Sequence, residues 1–179
     1  MLSYDLSPPR RRVGRAMMFA FAAAATLSAC TMQPLYGPAP TGQSVTAALD
    51  RIVIDPVDNR VAQEVRNKLI FDLSGGAQSS APVYRMKLSV GSAESALGVT
   101  PVESAPAYSI TVSATYEVTS LSTGDIVLRG TSRGIASFDR VSQIYANTRA
   151  RLDAENRAAA LAADDIRIRL AAAAAKGTL

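Results

Sequence analysis

The clearest pattern in the chain is a strict alternation along residues 107–120. Tyr108, Ile110, Val112, Ala114, Tyr116 and Val118 take one parity, while Ser109, Thr111, Ser113, Thr115, Glu117 and Thr119 take the other. A period of two puts successive side chains on opposite faces of a strand, so this stretch predicts a strand with one apolar and one polar face. Residues 83–91 repeat the pattern, with Tyr84, Met86, Leu88 and Val90 set against Arg85, Lys87 and Ser89. Ser122-Thr123-Gly124-Asp125 reads as a hairpin turn, followed by a return strand over 126–137. Residues 92–106 carry Gly98, Pro101 and Pro106 and predict a loop.

Two other stretches change to helical spacing. Val61, Val65, Leu69 and Leu73 recur every four residues, with Ile70 beside them. Asp58 or Asn59 is placed to cap this helix, and Gly75-Gly76 to end it in the left-handed conformation. Before it, residues 51–57 form a short β-branched strand stopped by Pro56. A long helix is predicted over 148–174, with Leu152, Ala159, Ala162, Ile166, Leu170 and Ala173 on one stripe. Arg151–Glu155, Asp153–Arg157 and Asp165–Arg169 are spaced as i,i+4 pairs, each worth a few tenths of a kcal/mol. Alanine makes the end of this helix a strong helix former and only a weakly apolar one.

The order is therefore β-α-β-β-β-α. It predicts an α+β fold, with two helices packed on one face of a four-stranded mixed sheet. The first helix would return the chain by a right-handed crossover to a parallel second strand. The other sheet face would stay open. If Ile126 and Leu128 point inward, that face displays Arg85, Lys87, Arg129 and Arg133 among hydroxyls, against the single acid Glu117. Two readings stand side by side. One is a docking surface for an anionic or polar partner, since Arg and Lys suit phosphate groups. The other is an ordinary solvated face whose charges protect the sheet. Asp164-Asp165 point about 100° apart on a helix and are no catalytic pair. Ser74-Gly75-Gly76 follows a helix instead of leading one, so it is a cap and not a phosphate loop.

The N-terminal segment follows a different rule. Arg10, Arg11, Arg12 and Arg15 precede an apolar run over 16–27, and small residues then lead to Cys30. This order predicts a secretory signal peptide, its apolar run too short for the roughly 20 residues of a bilayer span. The division expected is a signal peptide over 1–29, a Pro- and Gly-rich tether over 30–48 and a domain over 49–179. Removing residues 1–29 takes away four arginines and Asp5, leaving 15 basic and 14 acidic residues. The whole-chain pI of about 9.5 thus belongs mostly to the signal segment and does not argue for nucleic acid. The chain has one cysteine and no histidine. A disulfide within the chain, a Ser-His-Asp triad and a His/Cys zinc site are therefore excluded. No enzyme and no cofactor is expected.

The small residues Leu27-Ser28-Ala29 before Cys30 resemble a bacterial lipobox. That resemblance implies a thioether-linked diacylglycerol on Cys30 and an acylated new N-terminus. Thr31 in place of Asp implies export to the outer membrane. Gln33-Pro34-Leu35-Tyr36-Gly37 then matches the start of mature chains in the LPS-assembly lipoprotein family LptE, although Thr31 and Met32 depart from it. Ile54-Asp55-Pro56, Asp58, Arg60, Gln63, Arg66, Asn67 and Leu69 resemble that family's first strand and helix. The resemblance implies a non-enzymatic outer-membrane lipoprotein that plugs the LptD β-barrel and binds LPS. It assigns no contact residues by motif. Arg85, Lys87, Arg129 and Arg133 are candidates for LPS or barrel contact from strand parity alone. A lipoprotein activator of a periplasmic cell-wall synthase is the alternative. Tyr36 in the tether is left with two roles, packing on its own domain or inserting into a partner.

Overall fold

The structure, a computed structural model, describes residues 44–98 and 107–179. The predicted signal peptide, Cys30, most of the tether and residues 99–106 lie outside the described residues. The elements run α1 (Val45–Leu49), β1 (Ile52–Ile54), α2 (Arg60–Ser74), β2 (Tyr84–Leu97), β3 (Ala107–Ser120), β4 (Ile126–Asp139) and α3 (Ile144–Ala175). The sheet order is β1-β2-β3-β4. β1 runs parallel to β2, and the other two pairs are antiparallel. This is the expected α+β fold with one added short helix.

Alternation builds the core. One rung brings Ile54, Met86, Val118 and Leu128 into line across all four strands, and another brings Leu88, Tyr116 and Gly130 together. Met86, Val112, Ala114, Tyr116 and Val118 are fully buried. Against them lie Val65 and Leu69 of α2 and Ile166 and Leu170 of α3, equally buried. Each such Leu, Ile or Val contributes roughly 1.5–3 kcal/mol by leaving water. Asn59 caps α2 by accepting the Ala62 N–H at 2.7 Å, worth about 1 kcal/mol. Gly75 ends α2 at φ 69°, and its N–H and that of Gly76 satisfy the last carbonyls.

Four boundaries differ from the sequence reading. Residues 92–97 are strand, not loop, because each pairs with a residue of β3, from Ser92 with Val112 to Leu97 with Ala107. A long ladder outweighs their weak local pattern. The predicted 51–57 strand is ordered as β only over Ile52–Ile54. Residues 45–48, expected as tether, belong to α1, and Val45 and Leu49 enter the core. α3 begins at Ile144, four residues early, with its entry clamped by Asn147. The Asn147 side chain accepts from the Val141 N–H and donates to the Val141 carbonyl, at 2.8 and 2.7 Å.

The third predicted ion pair on α3 also gives way. Asp153–Arg157 and Asp165–Arg169 form at 2.8 and 2.9 Å. Glu155, expected to face Arg151 in solvent, is instead 6% exposed. It is paired with Arg60 of α2 and accepts from the Ser92 hydroxyl at 3.0 Å. Arg60 also donates to Asn156 at 2.8 Å, and Arg151 lies 4.0 Å from Glu94. A buried carboxylate needs such partners. Here they tie α2, α3 and β2 together.

α3 approaches β4 closely where the two cross. A Cβ built on Gly134 would sit 1.9 Å from the Ala158 carbonyl oxygen and 2.8 Å from the Ala162 nitrogen. One residue pair away, the buried Ser132 hydroxyl donates to the Ala162 carbonyl at 2.9 Å. We expect Gly134→Ala to cost at least about 2 kcal/mol, the upper range for overpacking against backbone. Gly91→Ala, where nothing lies within 4 Å, should be neutral or slightly stabilising. Urea denaturation of the two variants beside the parent measures the contrast.

Candidate functional site

The uncovered sheet face carries the candidate residues. Lys87, Glu117 and Arg129 form one rung across β2, β3 and β4. The next rungs hold Ser89, Thr115 and Thr131, then Gly91, Ser113 and Arg133. Arg85 pairs with Thr119 on the other side of the Lys87 rung. All four nominated cations are exposed and all four share this face. A register shift at Val118/Thr119 places Ile126 opposite Thr119, so Ile126 lies on the open face and not inward as supposed. Leu128 still opposes Val118, and the parity of Arg129 and Arg133 is unaffected.

The charges are loosely neutralised. Arg129 lies 4.0 Å from Glu117, and Arg85 lies 3.6 Å from Asp55. Among the described residues neither Lys87 nor Arg133 has an ion-pair partner. Thr115 and Thr131 share a hydrogen bond at 3.3 Å across β3 and β4. The face is a largely polar wall whose positive points come from β2 and β4, able to accept hydrogen-bonding or anionic groups by direct contact. The sequence reading missed Asp55 as the partner of Arg85, because the approach is set by the β1–β2 pairing and not by local spacing.

Among the described residues no group of three His, Cys, Asp or Glu side chains is placed to hold a metal. Asp164 and Asp165 turn to different partners, Lys68 at 3.4 Å and Arg169 at 2.9 Å. The Asp72 hydrogen bond, with lesser help from Asp164, holds the Lys68 ammonium above its ordinary pKa. Burial raises the Tyr116 phenol, which lies beneath Gly130 in the core. No helix among the described residues is long and apolar enough to cross a membrane.

Fold and face together define a class: a small α+β domain whose helices back one side of a mixed sheet and whose other side presents mainly polar side chains. Comparison with known proteins gives the family. The chain belongs to the LptE lipopolysaccharide-assembly family, whose model matches residues 49–170. Three solved structures share the fold. A protein of Caulobacter crescentus CB15 described as a lipoprotein is 25% identical, with a TM-score of 0.62 over 74% of this chain and 96% of its own. Rare lipoprotein B of Shewanella oneidensis is 15% identical, with a TM-score of 0.51 over 70% and 94%. A minor lipoprotein of Acinetobacter baumannii is 10% identical, with a TM-score of 0.50 over 68% and 88%. No curated protein matches the chain.

The four cations stand on a finished fold and should be dispensable to it. Changing Arg85, Lys87, Arg129 and Arg133 together to Ala is expected to alter stability by no more than about 1 kcal/mol, since exposed ion pairs contribute little. Thermal and urea unfolding of the fourfold variant check this.

Proposed function

We propose that this protein is a lipoprotein of the bacterial outer membrane, lipidated at Cys30, that plugs and supports an LptD-like β-barrel during LPS assembly. The match to the LptE family over residues 49–170 carries the reading. The exposed sheet face supports it. Large outer-membrane barrels have polar interiors and can be plugged, and a wall of hydroxyls with scattered cations suits that lining better than an apolar patch would. Arg85, Lys87, Arg129 and Arg133 are the residues we assign to contact with the barrel wall or with lipid A phosphates. The domain acts by contact and performs no chemistry of its own.

Two measurements test this. Crosslinking in the intact outer membrane, followed by affinity isolation of this protein, should recover a large β-barrel protein. Recovery of a cell-wall synthase instead, with surface LPS unchanged on depletion, would overturn the assembly role. The fourfold alanine variant should bind LPS at least about tenfold more weakly than the parent, the loss growing at low salt. Unchanged binding by a folded variant would remove the LPS contact from this face while leaving the barrel contact to the first experiment.

A further inference from the structure

The sheet has two outer edges, and the fold treats them differently. Along β2 the outward carbonyls of Met86 and Val90 are taken, by the Asp55 N–H at 2.9 Å and the Asn59 side-chain amide at 3.1 Å. Along β4 the antiparallel pairing sets which groups face out. Ser120 donates its N–H to the Asp125 carbonyl at 2.9 Å, so the even residues of β3 bond toward β4. Their partners there are even as well, from Ile110 with Ala136 to Val118 with Leu128. Arg129, Thr131, Arg133, Ile135 and Ser137 therefore turn their N–H and C=O away from the sheet. The Ser137 carbonyl is met by the Arg157 guanidinium at 2.9 Å. Among the described residues no strand or side chain meets the N–H and C=O of Thr131, Arg133 or Ile135, and β4 holds no proline.

We propose that the outer edge of β4 accepts an extended, acidic polypeptide segment of a partner as a fifth strand. Three observations choose this occupant. The bare groups recur at every second residue over 131–135, the repeat of a strand's own donors and acceptors, so an extended backbone satisfies them. A groove of about 460 Å³ lies at the same edge, between Thr131 and Arg133 of β4 and Asp165 and Arg169 of α3, and leaves room for a chain. The edge strand carries charge of one sign, at Arg129 and Arg133. Glu117 lies 4.0 Å from the first, and the second has no ion-pair partner among the described residues.

Edge charges commonly guard a sheet against pairing. Here they discriminate between strands. Opposite charges across a strand pair are favourable and like charges are not. Two copies of β4 would crowd four arginines together, whereas carboxylates four residues apart on an added strand meet both. Ile135, 58% exposed on the same parity, takes an apolar neighbour. An antiparallel partner would thus read Val-x-Glu-x-Thr-x-Glu, its carboxylates beside Arg133 and Arg129. The inference uses two cations assigned above but rests on neither the barrel nor the lipid.

The test uses the full-length protein in detergent micelles and the synthetic peptide Val-Ser-Glu-Ser-Thr-Ser-Glu, blocked at both ends. Amide hydrogen exchange is followed by NMR. At saturating peptide the amides of Thr131, Arg133 and Ile135 should exchange at least about tenfold more slowly, as expected of strand addition. The same peptide with Lys for Glu should leave them unchanged. Thr131→Pro removes an outward N–H at no cost to the ladder and should abolish the slowing, while Thr131→Ala retains it. Should the proline variant not fold, Arg133→Glu carries the same test and should reverse the preference toward the lysine peptide. Unchanged exchange with the acidic peptide, or equal slowing by the lysine peptide, would overturn the proposal. Slowing that rises with protein concentration in the absence of peptide would also overturn it, by assigning the edge to a second copy. LPS binding of the fourfold alanine variant is a separate measurement, so its failure leaves the edge to these exchange rates.

Discussion

The fold depends on how closely α3 lies on β4. A sheet with one apolar face must be covered, and here the cover is a helix made largely of alanine. Alanine contributes little apolar area per residue, so the helix gains by proximity instead of bulk. Ala154, Ala158, Ala159, Ala162 and Ala163 are all buried, and Gly134 lets the Ala158 carbonyl press against the strand itself. The Ser132 hydroxyl then reaches the Ala162 carbonyl directly. Larger side chains at these positions would lift α3 away and leave Tyr116 and Val112 under a gap. Close packing of this kind is sensitive to a single methyl group, because neither backbone can yield without breaking its own hydrogen bonds.

The same contact settles which face of the sheet the helices leave uncovered. α3 spans the apolar face over β3 and β4, and α2 covers it over β1 and β2. The opposite parity of every strand has no helix over it. In β3 that parity is almost pure Ser and Thr, a composition that holds a strand without inviting apolar association. Positive charge enters only from the flanking strands, at Arg85, Lys87, Arg129 and Arg133. The face thus satisfies two demands at once. Its hydroxyls hold strand structure while facing water, and they present hydrogen-bonding groups outward.

Much of this was legible in the sequence because β-structure with one wet face writes its register into alternation. β3 could be read residue by residue, and from it the parity of its neighbours. The cations followed from that parity alone. Other parts were written in longer-range terms. Residues 92–97 have little alternation and become strand only because β3 is long enough to pair with them. Val45 and Leu49 look like the end of a polar tether until α2 and α3 offer them a shared hollow. Glu155 has the right spacing for a surface pair with Arg151, yet Arg60 and Ser92 lie close enough to draw it inward. Ile144 and Tyr145, 83% and 77% exposed, start α3 with apolar residues that face no core and so hid its beginning.

Family membership and the uncovered face bear on the function proposed above in different ways. The family match covers the domain and says nothing of individual residues on its sheet. The physical reading selects those residues and leaves the partner as a class of surface. Their overlap is narrower than either. The chain has no histidine, and the described residues hold no cluster of possible metal ligands. What it can touch broadly is the face that α2 and α3 leave uncovered. A polar wall carrying a few cations suits a surface that is itself polar and carries anions, as in the function proposed above. The inside of an outer-membrane barrel handling phosphorylated lipid has that character, and an apolar groove or a nucleic-acid duplex does not fit so weakly charged a face.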